Sequence, residues 1–399
     1  MSPHIFLVAC EESGDRLGAA LIAAIRRRNP EARFSGVGGA QMAALGVTSL
    51  FPLGELAIIG FVQIIASLPK IVRRIRDTAD AVVAATPDVL VIIDSPEFTH
   101  RVARRVRARA PGISTIDYVC PSVWAWRSGR ARAMKSYVDH VLALLPFEPK
   151  VMRELGGPPC TYVGHPLIEQ LDDLRPNAEE ARRRRSDPPL LLVLPGSRGG
   201  EIRRMANVFG EAVALTAAHV GALEVAVPAV PWLANEVRAA VATWRISARV
   251  VVDADEKHAA FRTARAALVK SGTSTLELAL AGVPMVTAYK VPLVEEAVAR
   301  TLLKVNTVIL ANLVLGEERP VPEFIQRACT AEALATALVP LFADTPERRR
   351  QIEVFGRLDG IMGIGKGVPS DRAAAVVLDC AGGLNRLGRE AVASAPPKA

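Results

Sequence analysis

The chain has 399 residues, 50% of them hydrophobic, 23% charged and 5% aromatic, with a formal net charge of +8. This balance excludes a disordered or collagen-like chain, and at ~100 to 200 residues per domain the length fits two or three domains, each with its own core. Cys10, Cys120, Cys160, Cys329 and Cys380 lie far apart with no CxxC pair, which excludes a disulfide framework and a zinc finger and fits a reducing compartment.

The first strand is predicted at residues 4–9, an apolar run with no basic leader and with Glu11 and Glu12 directly after it, so no secretion signal is expected. A helix at 16–28 and a strand at 33–37 follow. The uncharged stretch 56–69 contains Gln63 and is shorter than the ~20 residues a membrane-spanning helix needs. Its apolar residues Leu56, Ile58, Ile59, Phe61, Val62, Ile64 and Ile65 precede Lys70, Arg73, Arg74 and Arg76, an order suited either to a membrane interface or to a core helix running into a solvated one. Strands at 89–93, 114–118 and 140–145 and a helix at 99–110 complete the first half. Residues 1–165 carry 20 Lys and Arg against 14 Asp and Glu, so most of the basic excess sits here.

The polar stretch 171–189, with four consecutive arginines and two closing prolines, reads as a linker. After it the pattern restarts, with strands at 190–194, 223–227, 249–252, 266–269 and 284–288 and helical segments at 330–343 and 373–384; residues 394–399 read as a frayed tail. Apolar strands alternating with amphipathic helices imply parallel sheets flanked by helices, hence two doubly wound α/β domains in tandem.

Two strand-to-helix loops in the second half invite an anion. Leu194-Pro-Gly-Ser-Arg-Gly-Gly-Glu-Ile202 combines a close backbone approach at Gly196, Gly199 and Gly200 with the free N–H groups of a helix start and the guanidinium of Arg198, a set suited to a diphosphate. Lys270-Ser-Gly-Thr-Ser-Thr-Leu-Glu277 offers Glu277 to ribose hydroxyls, although Ser274 and Glu277 also have the spacing of a helix capping box. No Walker A, nucleophile-elbow or histidine–zinc spelling is present, so neither a P-loop NTPase nor a zinc site is expected.

In the first half two acidic loops stand at strand ends, Cys10-Glu-Glu-Ser-Gly-Asp15 and Asp94-Ser-Pro-Glu97. A desolvated carboxylate there can take a proton from an attacking hydroxyl. The competing readings are capping of the helix by Ser13, dipole pairing by Asp15 and an Asx turn at Asp94. Trp124, Trp126 and Arg127 could stack on a sugar, meet lipid headgroups or pack in the core. The basic segments interleave with long aliphatic runs and lack nucleic-acid signatures, so no nucleic-acid partner is expected.

These pieces together resemble the lipid-A-disaccharide synthase family of glycosyltransferases, family 19, from about Ile5 to Ala375. The matching segments are Glu11-x-Ser-Gly-Asp15, Asp94-x-Pro-x-Phe98, Tyr118-Val-x-Pro-Ser-Val-Trp-Ala-Trp126, Leu145-Pro-Phe-Glu148, Val163-Gly-His165, Leu194-Pro-Gly-Ser-Arg198 and Ser271-Gly-Thr-x-Thr-Leu-Glu277. The chain departs from the family pattern at Cys10, Gln63, Glu97 and Ala311, which stand for a glycine, a glutamate, an aspartate and a proline.

The resemblance implies the GT-B architecture, two Rossmann-like domains facing a cleft. An acceptor- and membrane-facing domain would cover 1–170, joined by C-terminal helices from about 350–385 crossing back to it, and a UDP-sugar domain would cover 186–345. It implies inverting transfer from UDP-2,3-diacylglucosamine to 2,3-diacylglucosamine 1-phosphate, forming a β-1,6 disaccharide and UDP without metal or cofactor. Asp94 and Glu11 are then the catalytic candidates, with the base left open among Asp94, Glu97 and Glu11. Gly196, Ser197, Arg198, Ser271, Gly272, Thr273, Glu277 and Asn312 would bind the donor. Ser13, Asp15, Phe61, Ile64, Trp124, Trp126 and Arg127 would meet the acceptor or the anionic cytoplasmic face of the inner membrane, where the protein would be peripheral. Whether it forms a homodimer is open. The rival readings are another GT-B UDP-sugar enzyme, such as an epimerase, and a non-catalytic UDP-sugar or lipid-binding protein.

Overall fold

The computed structural model describes residues 2–55, 61–292, 296 and 305–382, with the backbone alone at 61–67. Residues 56–60 and the side chains of Phe61 and Ile64 therefore lie outside the described residues. The chain divides into two compact units, Met1–Ile168 with the chain from Gly365 onward (unit 1), and Glu169–Ile364 (unit 2).

Unit 1 runs β1 (His4–Ala9), α1 (Glu12–Arg28), β2 (Arg33–Val37), α2 (Ala40–Ala44), α3 (Phe61–Ala85), β3 (Val89–Ile93), α4 (Pro96–Arg109), β4 (Ser114–Tyr118), α5 (Gly129–Met134), β5 (His140–Ala143), α6 (Glu148–Glu154) and β6 (Cys160–Tyr162). Its sheet is parallel in the order β2-β1-β3-β4-β5-β6. Strand side chains alternate between faces, and helices cover both, which is why β3, and β1 after His4, are apolar. Ile5, Leu7, Val89 and Val91 pack with Leu21, Ile22 and Ile25 of α1 and with Ala373, Ala374 and Val377 of the helix Pro369–Ala381. On the other face Phe6, Val8, Leu90 and Ile92 pack with Ala79 and Val82 of α3 and Val102 and Val106 of α4. Arg27 also pairs with Asp371 at 2.7 Å, fastening the returning helix to α1.

Unit 2 comprises α7 (Leu171–Leu174), α8 (Ala178–Arg185), β7 (Leu190–Leu194), α9 (Gly199–Val220), β8 (Glu224–Pro228), α10 (Ala234–Val241), β9 (Arg249–Val251), α11 (Ala254–Thr263), β10 (Ala266–Lys270), α12 (Ser274–Leu280), β11 (Met285–Tyr289) and β12 (Glu323–Ile325). This sheet is also parallel, in the order β12-β11-β10-β7-β8-β9. Of the C-terminal helices among the described residues, Pro369–Ala381 belongs to unit 1, and Pro346–Gly356 and Leu358–Met362 lie in unit 2.

The expected linker at 171–189 is corrected by the structure. It forms α7 and α8, and α8 starts in a full capping box between Asn177 and Glu180. Arg184, from the arginine run, is half-buried and donates to the carbonyls of Phe261, Arg262, Ala281 and Gly282 at 3.0–3.2 Å. One guanidinium thus satisfies orphan carbonyls at the ends of two helices, α11 and α12. The three-residue edge strands β6 and β12 are not foreseen from the sequence, since neither stands in a longer apolar run.

Candidate functional site

In an open parallel sheet, ligands gather at the carboxyl ends of the strands, where the order of connection reverses. In unit 1 the reversal lies between β1 and β3, and these strands lead into Glu11 and Asp94. In unit 2 it lies between β7 and β10, which lead into the 194–198 and 270–274 loops.

Asp94 and Ser95 are consecutive residues in left-handed backbone, with φ of 53° and 46°. Non-glycine residues hold such angles only where their surroundings impose them. Here the Asp94 N–H donates to the Tyr118 carbonyl at 3.1 Å and its carbonyl accepts from Thr99 Oγ1 at 2.7 Å. Oδ1 accepts from the Ser95 N–H at 2.7 Å. Oδ2 has no partner among the described residues, and no Asx turn forms. Burial, with Glu11 and Asp117 as nearby negative charges, pushes the Asp94 carboxyl above the usual range despite the Ser95 hydrogen bond. Glu11 is exposed and accepts from Ser95 Oγ at 3.0 Å, which ties the two acidic loops together. The Cys10 thiol, buried beside Glu11 and Asp94, is pushed far up and stays protonated.

Glu97 differs. Burial opposes its ionisation, but Arg130, Arg127 and Arg101 outweigh that and hold its carboxyl below the usual range. Asp94 combines a raised affinity for protons with an oxygen that is unshared among the described residues, whereas Glu97 is held low by its arginines.

The other residues expected in unit 1 fall into two groups. Asp15 is buried and saturated: it accepts from the N–H groups of Gly39, Gln41 and Met42 at 2.7, 2.9 and 3.1 Å. It caps α2 across the sheet edge, so its carboxylate is not offered to an acceptor. Ser13 is exposed in the first turn of α1, and the expected side-chain cap there is not formed. Trp124 and Trp126 are part-buried. Trp124 donates through Nε1 to Glu148 Oε1 at 3.2 Å and meets Phe147 edge-on, with ring centroids 5.4 Å apart. Arg127 lies 4.4 Å from the centroid of the Trp126 ring.

Glu148 closes the Leu145-Pro-Phe-Glu148 segment, and nothing in the sequence assigns it a role. Burial raises its carboxyl to about 7, against the N–H groups of Leu145, Trp124 and Leu144. Also unforeseen is a buried relay in which Asp117 meets His100 Nε2 at 3.0 Å and His100 Nδ1 meets the Tyr137 hydroxyl at 3.1 Å. A helix residue, a strand residue and a turn residue give no pairing signal until the fold brings them together.

In unit 2 the two glycine-bearing loops come together around a pocket of about 210 Å³, lined by Gly196, Ser197, Glu201, Lys257, Lys270 and 271–274 among others. Gly196, Ser197, Ser271, Gly272 and Thr273 thus meet as expected. Gly196 has φ of 134°, and a Cβ there would lie 2.6 Å from the Glu201 side chain, so the turn admits only glycine. Glu201 was not foreseen. It accepts from the Ser197 N–H at 3.0 Å and pairs with Lys270 Nζ at 2.8 Å, closing the two loops onto each other.

Arg198 is the N-terminal boundary of α9, with no side-chain cap on that helix. Its side chain is 80% exposed and among the described residues reaches only Glu201, at 3.4 Å, which leaves most of its donors free of them. Glu277 is part-buried in α12 with no partner for its carboxylate among the described residues, and the capping box its spacing allowed is absent, because Thr273 is the helix boundary. Asn312 corrects the reading that offered it to the donor: it is 1% exposed, donates to the Val321 carbonyl and Glu323, and accepts from the Val321 N–H. All its amide atoms are spent on the connection to β12. Among the described residues no cluster of three metal-binding side chains and no helix long and apolar enough to cross a membrane is present.

The family model described as lipid-A-disaccharide synthetase matches residues 5–358. A lipid-A-disaccharide synthase of Nitrobacter winogradskyi is 60% identical over 379 residues, covering 95% of this chain and 96% of that one. Among solved structures, a putative UDP-N-acetylglucosamine 2-epimerase from Listeria monocytogenes superposes with a TM-score of 0.63 at 12% identity, covering 95% of this chain and 96% of that one. A UDP-GlcNAc 2-epimerase from Neisseria meningitidis, bound to UDP-GlcNAc, gives 0.61 at 12% identity, covering 95% and 100%. At such identities these structures speak for the fold alone, the GT-B class with its two Rossmann-like units.

Proposed function

The chain belongs to the lipid-A-disaccharide synthetase family, a family of glycosyltransferases, and from that premise we propose that it transfers 2,3-diacylglucosamine from UDP-2,3-diacylglucosamine to the 6-hydroxyl of 2,3-diacylglucosamine 1-phosphate, with inversion. The observation that carries this reading is Asp94: a carboxylate at the switch point of the first sheet, raised in proton affinity, with one oxygen unshared. Such a group takes the acceptor's hydroxyl proton as the new bond forms. Glu11 acts through it, holding Ser95 and adding negative charge that keeps Asp94 basic.

Unit 1 is then the acceptor side and unit 2 the donor side. The pocket at β7 and β10 suits UDP: Arg198 and the uncapped first turn of α9 meet the diphosphate, whose charge grows as the glycosidic bond breaks. Glu277, whose carboxylate has no partner among the described residues, accepts from the ribose hydroxyls. The UDP-GlcNAc in the Neisseria epimerase supports a nucleotide-sugar in a fold of this kind. Both substrates carry acyl chains, and the apolar segment 56–65 with Phe61 and Ile64 takes them up at the cytoplasmic face of the inner membrane.

The test is UDP release from UDP-2,3-diacylglucosamine in detergent micelles containing EDTA, with and without the acceptor. Acceptor-dependent release with a disaccharide product is expected, unaffected by EDTA, since the displacement uses only the residues named. UDP binding without release would overturn the catalytic reading in favour of a binding protein, and acceptor-independent conversion of the donor would favour an epimerase. For the membrane reading, Phe61→Asp with Ile64→Asp is expected to weaken sedimentation with anionic vesicles; unchanged sedimentation would sink it.

A further inference from the structure

Three guanidiniums converge on one glutamate at the carboxyl edge of the first sheet. Glu97 Oε1 accepts from Arg127 at 2.9 Å and Arg130 at 2.5 Å, while Arg101 lies 3.6 Å from Oε2. Arg127 and Arg130 also lie 4.4 and 6.0 Å from the centroid of the Trp126 ring, so an indole wall backs the pair. Arg127 holds left-handed backbone, with φ of 50°, to reach this position. A cluster of three arginines and one glutamate is left with two positive charges in excess, and a phosphomonoester at neutral pH carries ~1.5 to 2 negative charges. Glu97 is 59% exposed, and an ion pair so open to water is readily exchanged. One carboxylate oxygen already accepts an N–H from each of two guanidiniums, the charge-assisted contact that a phosphate oxygen takes equally well.

We propose that Arg127 and Arg130, with Arg101 behind them, bind the phosphomonoester of the acceptor sugar, and that Glu97 occupies its place until the acceptor arrives. The proposal rests on the acceptor assigned above. Glu97 lies three residues after Asp94, so this anion site and the base share the start of α4. The same chemistry could come from the headgroup of an anionic phospholipid. A single-oxygen grip backed by one indole favours the sugar phosphate.

The experiment compares kcat/KM for 2,3-diacylglucosamine 1-phosphate and its dephosphorylated analogue in nonionic micelles free of phospholipid. The unmodified enzyme is expected to prefer the phosphorylated acceptor by roughly 10- to 100-fold, the range for a charged hydrogen-bonded contact. In R127A/R130A that ratio collapses to within a few-fold, mostly through KM, and R127K/R130K, which keeps charge but loses the fork, falls between. E97Q, with its placeholder charge removed, should lower KM for the phosphorylated acceptor. A preference that survives in R127A/R130A overturns the proposal. So does a preserved preference accompanied by lost sedimentation with anionic vesicles, which would assign the arginines to lipid headgroups. Calorimetric titration of the same two acceptors into D94N keeps this separate from catalysis. If the enzyme transfers to neither acceptor, a phosphate-dependent affinity lost in R127A/R130A still upholds the anion site while the transferase reading falls; equal affinities overturn the site.

Discussion

The switch points of the two sheets occupy the same topological position and each presents a carboxylate, yet they are tuned in opposite directions. At β1 and β3, Asp94 is surrounded by burial, Glu11 and Asp117, with a single N–H donor, and its carboxyl is pushed up. At β7 and β10, Glu201 is only 4% exposed, and burial works against its charge as well, but Lys270, the Ser197 N–H and Arg198 prevail and its carboxyl is held low. The fold supplies the location; the nearest two or three partners decide whether a carboxylate takes up protons or serves as an anchored strut. Topology alone therefore identifies where chemistry occurs and says nothing of its kind.

The sharpest way to break this contrast is Asp94→Asn. A lost base is expected to cost ~10² to 10⁴ in kcat with UDP affinity retained, measured by UDP release and equilibrium binding. Retained turnover would move the base elsewhere, Glu11 first. On the other side, Arg198→Ala is expected to lower kcat by ~10² to 10³, the scale of losing one group that meets charge in the transition state, and to weaken UDP binding. An unchanged kcat would mean that the backbone of α9 carries the diphosphate by itself.

Smaller effects sharpen the picture. Asn312→Ala should leave donor KM near its original value and cost ~1 to 3 kcal/mol of stability, because it strands the Val321 N–H and carbonyl, read by denaturant unfolding. A raised donor KM at unchanged stability would restore a ligand role. The mildest change is Glu11→Gln. Asp94 works only when ionised, so activity is lost as pH falls through its raised value; removing a neighbouring negative charge lowers that value. The acid limb of the kcat/KM profile should therefore move to lower pH, by less than about one unit. A limb that stays put would mean that burial and Asp117 alone set Asp94.

Much of this was legible in the order of residues. Continuous apolar runs such as Leu190–Leu194 announce strands covered on both faces, and the glycines of the 194–200 loop announce a turn open to a ligand. The Asp94, Arg198 and Glu277 positions were readable as motifs. What misled was polarity taken as exposure. The arginine run of α8 reads as a linker, but Arg184 satisfies four carbonyls at helix ends. The resemblance offered Asp15 and Asn312 to ligands, but both are consumed by backbone groups outside their own helices.

By itself, then, the sequence determined the fold class, the two sheets and the loops at their edges, because hydrophobic period and turn chemistry are local properties. Only the tertiary structure decided which polar side chains are free. Glu11 reaches Ser95, Lys270 reaches Glu201 and Glu97 meets Arg127 and Arg130 across strands and loops. A carboxylate's proton affinity depends on charges and donors within a few ångströms, whatever their distance along the chain.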